Sequence, residues 1–263
     1  MHTTHRPLAA VLTLVGAVLA GLQLVRHALL DSDGQQLDQD AMEAVWAGTD
    51  TRDTLLSVLG YVSIGSAAAV LAVCVVTAMA RRNAGLAVAA VVVVAGANLT
   101  TQVLKHSVLE RPDLGLGDHN SMPSGHATVV LSVLVAALLV VPRTGRPVLG
   151  AAGGFLATFV GTSMVVAGWH RPADLLVAAC VCLAWLGAVC LVLRTRWRPA
   201  LLTFLTALLG SAAACVVVVL IGVRPTDGWA GAAEAATVLG GTGVAFSLAL
   251  TVAAGFRPVR PQP

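Results

Sequence analysis

The sequence predicts an all-α integral membrane protein, a bundle of about eight transmembrane helices. Two features of the composition support this prediction: 57% of the residues are hydrophobic and 11% are charged, whereas about a quarter of an ordinary soluble domain is charged. The third observation is that the apolar residues form runs long enough to cross a hydrocarbon layer of roughly 30 Å as helices. We therefore expect a single transmembrane domain over residues 1–263.

The predicted spans are apolar runs separated by short polar segments. They cover residues 8–29, 54–79, 84–104, 126–142, 148–169, 173–193, 200–222 and 230–255. The first run follows His2, His5 and Arg6, as the apolar part of a signal peptide does, but its length favours a span that is retained. In span five, Gly150 and Gly154 have the spacing of a helix-packing motif.

The positive charges predict the orientation. If the N-terminus is cytoplasmic, the cytoplasmic loops hold most of the 16 Lys and Arg residues, as the positive-inside rule requires. These residues are Arg6, Arg81, Arg82, Arg143, Arg146, Arg194, Arg196, Arg198, Arg257 and Arg260. Every Asp and Glu, from Asp31 to Glu234, then lies on the outer side. We expect a multi-pass protein of the cell (plasma) membrane whose outer cations serve a function.

Composition also excludes some classes of protein. A net charge of +3, scattered along the chain, does not indicate nucleic-acid binding. All 5 cysteines lie within apolar runs, without CxxC or zinc-site spacing, so we interpret them as packing residues. They are Cys74, Cys180, Cys182, Cys190 and Cys215.

Polar residues at the span ends concentrate between residues 98 and 176, and the first cluster ends span three. Asn98, Gln102 and Lys105 follow one another at helical spacing and form a stripe that ends in a cation. The alternative is a lysine that extends to the interface, with polar contacts between helices.

The tetrapeptide PSGH, residues 123–126, opens span four. Pro123 suits the first turn of a helix, and the N–H groups of Ser124, Gly125 and His126 would then be free at the positive end of the helix dipole. Such an end binds anions, and Gly125 lets an oxyanion approach the backbone closely. An ordinary helix cap with an interfacial His126 is the alternative.

The second polar cluster joins spans five and six. His170 and Asp174 are four residues apart around a helix start at Pro172, so the carboxylate can hold one tautomer of the imidazole and leave the other nitrogen free to attack. A purely structural hydrogen bond is the alternative. Together with the cations Lys105 and Arg111, these groups are what phosphoryl transfer through a phosphohistidine needs.

The segments KHSVLERP (105–112), PSGH (123–126) and SMVVAGWHRPAD (163–174) resemble the three motifs of the type 2 phosphatidic acid phosphatase superfamily. The resemblance implies a helical bundle with a six-helix phosphatase-like core, acting on lipid phosphates without a metal, and we expect no cofactor. It implies His170 as nucleophile, Asp174 as its orienting partner and His126 as the acid that protonates the leaving group. Residues implied to hold the phosphate are Lys105, Arg111, Ser124 and Gly125.

The sequence departs from the family pattern twice. Five residues rather than six separate Lys105 from Arg111, so Arg111 must reach the phosphate from non-helical backbone, to which Pro112 biases it. Met164 replaces the arginine of the third motif. We expect Arg171, beside the nucleophile, to supply the missing positive charge; its alternative role is an anchor in the headgroup layer.

The leading interpretation is therefore a metal-independent phosphatase of lipid phosphates that acts at the extracytoplasmic face. Polyprenyl diphosphate, phosphatidic acid and phosphatidylglycerol phosphate remain open as substrates, and so does transfer to another acceptor by a lipid phosphotransferase. A catalytically degenerate protein that binds lipid phosphate is an alternative, motivated by Met164. A transporter has weaker support, because Glu234 and the pair Gly240–Gly241 are also explained by an interfacial acid and close helix packing.

Overall fold

The computed structural model describes residues 7–60, 64–193 and 195–258. These residues form ten α-helices: α1 Leu8–Leu30, α2 Ser32–Glu43, α3 Thr49–Leu59, α4 Ile64–Ala80, α5 Ala84–Val103, α6 Gly125–Val140, α7 Arg146–Val166, α8 Pro172–Val192, α9 Leu201–Ile221 and α10 Ala232–Gly255. A π-helical turn, Leu104–Val108, continues α5, and a 3-10 turn, Arg143–Gly145, precedes α7. Four short strands pair at the two ends of the bundle: β1 Val45–Trp46 with β3 Arg224–Pro225, and β2 Thr195–Trp197 with β4 Phe256–Pro258.

Six helices of the described chain are long and apolar enough to cross a membrane, which confirms a helical membrane protein. They are Leu8–Leu30, Ala84–Val108, Arg143–Val166, Pro172–Val192, Leu201–Ile221 and Ala232–Gly255. Two more apolar helices, Gly65–Ala80 and Gly125–Val140, are shorter. The count of eight transmembrane helices and the six-helix core therefore stay predictions. Of the residues invoked for a signal peptide, His2, His5 and Arg6 lie outside the described residues.

The second predicted span, residues 54–79, is wrong as a single helix. The structure divides it between α3, which ends at Leu59 before a turn at Gly60, and α4. The start of α3 is polar and binds the ends of other helices: Thr51 Oγ1 donates to Ile221 O over 3.3 Å, and Arg52 Nη2 donates to Ala167 O over 2.5 Å. A helix that begins with these polar contacts covers the end of the bundle instead of crossing it.

The centre of the bundle is α6. Every residue from Ala127 to Val140 is buried except Val129, which is half-buried. Helices α4, α5, α7, α8 and α10 all contact it. A helix that is apolar on all sides is stable when other helices surround it, and this position explains why α6 can be short. Its first residues are consequently held in a fixed place.

Two ends of the bundle differ in composition. At one end, Arg81 donates to Val140 O and Arg146 donates to the carbonyl oxygens of Ala254 and Phe256, so arginines cap the last turns of α6 and α10. At the other end lie the π-helical turn, the start of α6 and the turn between α7 and α8. We call this second end the motif end, because the three sequence motifs meet there.

Close contact between α7 and α9 depends on glycine. A Cβ atom on Gly154 would overlap Ala207 O, and a Cβ atom on Gly210 would overlap Ala151 O. The packing role predicted for Gly154 is thus confirmed. Gly240 and Gly241 behave differently: both are exposed, and a Cβ atom on either would meet no described atom within 4 Å. The expectation of close packing at this pair is wrong, because it lies on the outer face of α10.

We predict that Gly154→Ala destabilises the protein by about 1–3 kcal/mol, because the added methyl group forces α7 away from α9. Gly240→Ala is the matched control, since it adds the same methyl group to a helix in open space, where alanine favours the helix over glycine. The melting temperatures in detergent measure the stability of both variants. Equal melting temperatures for Gly154→Ala and the wild type would contradict the packing role.

Candidate active site

The three motifs line one cavity of about 1120 Å³ at the motif end. Its polar residues come from α5 and its π-helical turn, from the loop 109–124 and the start of α6, and from the turn before α8. They are Asn98, Gln102, Lys105, His106, His119, Ser121, His126, His170 and Arg171. Segments far apart in the sequence thus bring cations and imidazoles to a single space.

His170 and Asp174 are in direct contact, as their spacing predicts. His170 Nδ1 lies 3.0 Å from Asp174 Oδ2, and the same oxygen accepts hydrogen bonds from Ser121 Oγ at 2.5 Å and from Arg171 N at 3.0 Å. Both side chains are buried, with 6% of His170 and 2% of Asp174 exposed. The carboxylate therefore fixes the imidazole through Nδ1 and leaves Nε2 as the nitrogen available for chemistry.

The start of α6 differs from the prediction in two respects. Pro123 lies before the helix and not in its first turn: Ser124 is the cap residue, its Oγ accepts from Ala127 N over 3.3 Å, and α6 begins at Gly125. Ser124 N donates to Asp174 O over 3.1 Å, so this N–H is not free for an anion. Within the described chain, the N–H groups of Gly125 and His126 have no hydrogen-bond partner. These two donors stay available at the edge of the cavity.

The stripe predicted on α5 is confirmed, because Asn98, Gln102 and Lys105 all line the cavity. Lys105 stands in the π-helical turn, beyond the last α-helical residue. The ring of His126 lies across from that of Trp169, with centroids 6.2 Å apart. His126 is half-buried, so its ring can contact both the cavity and water.

Arg111 is on non-helical backbone, as expected, but it does not line the main cavity. It borders a neighbouring cavity of about 460 Å³, and only 5% of it is exposed. Its Nε and Nη2 atoms are buried without a hydrogen-bond partner among the described residues. Burial and the positive charge of Arg171 lower the pKa of Arg111, whereas Asp38 and Asp174 oppose this shift. Unused donors on a buried cation indicate a place for an anion.

Residues 85–198 match the family model of the PAP2 superfamily, the type 2 phosphatidic acid phosphatases. The match covers less than half of the chain and includes all three motifs. This part of the chain is therefore similar to the PAP2 superfamily. Its members are phosphatases, which supports a hydrolase that acts on phosphate esters. A search of curated proteins and a search of solved structures each gave no match.

Met164 stands where the resemblance implies an arginine in the third motif. It is fully buried, and the hydroxyl of Ser124 contacts its sulfur at 3.6 Å. Arg171 lines the cavity, with Nε donating to Gln39 Oε1 over 2.9 Å and Nη1 at 3.5 Å from Ser121 Oγ. A buried, neutral thioether thus stands where an arginine is expected, while the guanidinium of Arg171 lines the cavity.

Sequence reasoning missed α2, which precedes the PAP2 segment. Helix α2 contacts α7, α8 and α10 and presents Gln35, Asp38, Gln39 and Met42 to the site. The helical spacing of these four residues, in a segment rich in acids and amides, is the signal that could have found them. Among the described residues, no group of three or more His, Cys, Asp or Glu is arranged to hold a metal.

Asp38 is the most perturbed acid of the site. Burial raises its pKa to about 7; the Ala173 N–H lowers it, Asp174 raises it further, and Arg171 and Arg111 lower it. The folded-state pKa thus lies above the ordinary value of 3.8. The native protein holds this proton more tightly than the unfolded chain, so the free energy of unfolding falls as the pH rises from about 4 to about 7.

We predict that Asp38→Asn removes the fall in the free energy of unfolding that the ionisation of Asp38 causes as the pH rises. Asparagine keeps an oxygen for the Ala173 N–H and cannot ionise. The melting temperature of Asp38→Asn relative to the wild type should therefore rise between about pH 5 and about pH 8. Asp40→Asn, on the exposed face of α2, is the matched control. If the melting temperatures of Asp38→Asn and the wild type differ by the same amount at both pH values, Asp38 does not ionise in this range and the prediction is wrong.

Proposed function

We propose that the protein is a metal-independent phosphatase of lipid phosphates that works through a phosphohistidine on His170. The observation that carries the proposal is the hydrogen bond of His170 Nδ1 to the buried Asp174, which leaves Nε2 for a cavity that Lys105, His126 and Arg171 also line. Binding alone requires no oriented imidazole beside an anion site, whereas nucleophilic attack requires both.

In the proposed first step, His170 Nε2 attacks phosphorus, a P–N bond forms, and the P–O bond to the lipid breaks. His126 donates a proton to the leaving oxygen and so becomes the base for the second step. A water molecule then gives its proton to His126 and attacks phosphorus, which breaks the P–N bond and releases phosphate. Asp174 stabilises the positive imidazole in each step.

The phosphate oxygens are bound by Lys105, Arg171 and the free N–H groups at Gly125 and His126, which all line the main cavity. Arg111, which borders the neighbouring cavity, contributes its positive charge. Preorganised cations and N–H donors stabilise the charge of the phosphoryl group, the role that metal ions have in other phosphoryl-transfer enzymes. Ser124 contributes indirectly, because its N–H and hydroxyl groups are engaged within the protein and hold the start of α6 in place.

The shape and lining of the cavity support a lipid as the substrate. Beyond the polar residues, its walls are apolar side chains of α4, α5 and α6. They include Ala67, Ala68, Leu71, Val94, Leu99 and Val129. A molecule with a phosphate head and an apolar tail fits both parts. Polyprenyl diphosphate, phosphatidic acid and phosphatidylglycerol phosphate all belong to this class.

Met164 favours a second candidate, a protein that binds lipid phosphates without turnover. One arginine of the PAP2 pattern is absent, and a buried, neutral side chain stands in its place. Purified protein that binds vanadate yet releases no phosphate from any lipid of the class would favour this second candidate over the enzyme.

We predict that His170→Ala abolishes phosphate release from a panel of lipid phosphates in EDTA, and that Asp174→Asn lowers it by roughly two to four orders of magnitude. Vanadate, which mimics the pentacoordinate phosphoryl group, should inhibit the wild type. His27→Ala is the matched control, since His27 is exposed on α1 and does not line the cavity. Turnover by His170→Ala, or activity that requires added Mg²⁺, would contradict the mechanism.

The proposal includes a plasma-membrane protein with the motif end on the extracytoplasmic side, since the arginine-rich loops then face the cytoplasm. We predict that, without other cysteines, His119→Cys reacts with an impermeant maleimide in intact cells and Thr144→Cys only after lysis. Both positions are exposed, at opposite ends of the bundle. The reverse labelling pattern would invert the orientation.

A further inference from the structure

Helix α2 makes three hydrogen bonds to the segments that carry the two arginines of the site. Gln35 Nε2 donates to Pro112 O over 3.1 Å, Asp38 Oδ1 accepts from Ala173 N at 2.9 Å, and Gln39 Oε1 accepts from Arg171 Nε at 2.9 Å. Gln35 Nε2 also donates to Leu29 O over 2.7 Å, and this bond anchors α2 to the end of α1.

The partners of α2 have specific places in the site. Pro112 directly follows Arg111, and Ala173 lies in the first turn of α8, between His170 and Asp174. The carboxylate of Asp38 therefore stands at the positive end of the α8 dipole, and the amide of Gln39 holds the guanidinium of Arg171 directly. Through these contacts α2 fixes the start of α8 relative to the cavity.

The two arginines need such support, because they have no carboxylate of their own. Within the described chain, the one contact under 4.0 Å between a basic and an acidic side chain is that of His170 with Asp174. Arg111 and Arg171 also repel each other. Apart from Gln39, the described partner of the Arg171 guanidinium is Ser121 Oγ, at a long 3.5 Å from Nη1. A long, charged side chain held only by such a contact spreads over many rotamers.

We propose that Asp38 and Gln39 are positioning residues that hold Arg171 and the start of α8 for the substrate phosphate, and so offset the missing arginine at Met164. The proposal rests on the proposed function of the site. Both residues lie outside the segment 85–198 that matches the PAP2 superfamily, so the family match does not account for them.

The first test compares Gln39→Met with Gln36→Met. Both replacements keep the length of the side chain, but Gln36 is exposed and bonds only Asp40 on α2 itself. Gln39→Met should weaken vanadate binding by about tenfold, as expected when a charged group loses a hydrogen bond, and should raise KM for a lipid phosphate more than it lowers kcat. Gln36→Met should match the wild type in both measurements.

A double-mutant cycle with Arg171→Ala separates positioning from folding. If Gln39 acts through Arg171, the two changes are not additive, and Gln39→Met has no further effect on vanadate binding once Arg171 is alanine. A purely structural role predicts additive losses together with a lower melting temperature. Additive losses, or equal vanadate binding by Gln39→Met and Gln36→Met, would overturn the proposal for Gln39.

Asp38 is tested in the same way. Asp38→Ala should weaken vanadate binding, and Asp38→Asn should retain it, because asparagine still accepts from the Ala173 N–H. Asp40→Ala is the control on the exposed face. Equal binding by Asp38→Ala and Asp38→Asn, with both folded by their melting temperatures, would overturn the role of Asp38.

Vanadate binding by isothermal titration requires no turnover, so it keeps the two proposals distinguishable. A wild type that releases no phosphate contradicts the proposed enzyme, and the order of vanadate affinities among the α2 variants still decides the positioning role. A wild type that is active, with α2 variants that match their controls, contradicts the positioning role alone.

Discussion

The carboxylate of Asp174 is the interaction on which the rest of the site depends. Its Oδ2 atom accepts hydrogen bonds from His170 Nδ1, Ser121 Oγ and Arg171 N. The backbone oxygen of the same residue accepts from Ser124 N. These four bonds join the loop before α6, the first residues of α6 and the turn before α8. Since the carboxylate is almost fully buried, each donor left without it would carry a desolvation penalty of about 1–3 kcal/mol. The orientation of His170 and the shape of the anion site therefore have a single cause.

Burial of α6 makes this arrangement rigid. A helix enclosed by five others cannot tilt without opening cavities in a closely packed interior, so the N–H groups of Gly125 and His126 stay in one place relative to His170. The same enclosure keeps these half-buried donors at the edge of the cavity, beside its polar side chains. Apolar residues that look like an ordinary span in the sequence thus contribute to the electrostatics of the site.

Sequence periodicity predicted those features that depend on neighbours in the chain. The four-residue spacing of His170 and Asp174 and the stripe ending at Lys105 are local properties of helices, and the structure has both. The free N–H of Ser124 was predicted wrongly, because its acceptor, Asp174 O, lies 50 residues away in the sequence. The break of the second span before α4 and the role of α2 depend on contacts of the same long range. No local sequence pattern predicts which distant segments a polar helix such as α2 will contact.

The carboxylates near the site balance the positive charge of the two arginines without forming ion pairs with them. Asp38 lies within electrostatic reach of Arg111 and Arg171, and Asp174 within reach of Arg111, yet neither arginine forms an ion pair with a carboxylate in the described chain. Their attraction lowers the cost of placing two guanidinium groups together, and the N–H donors that a direct pair would occupy stay unused on Arg111. In the proposed function, a substrate phosphate therefore binds without displacing a carboxylate, whereas a contact pair would first have to be broken. Amide and backbone groups hold the site in shape, and the cations remain available for the substrate.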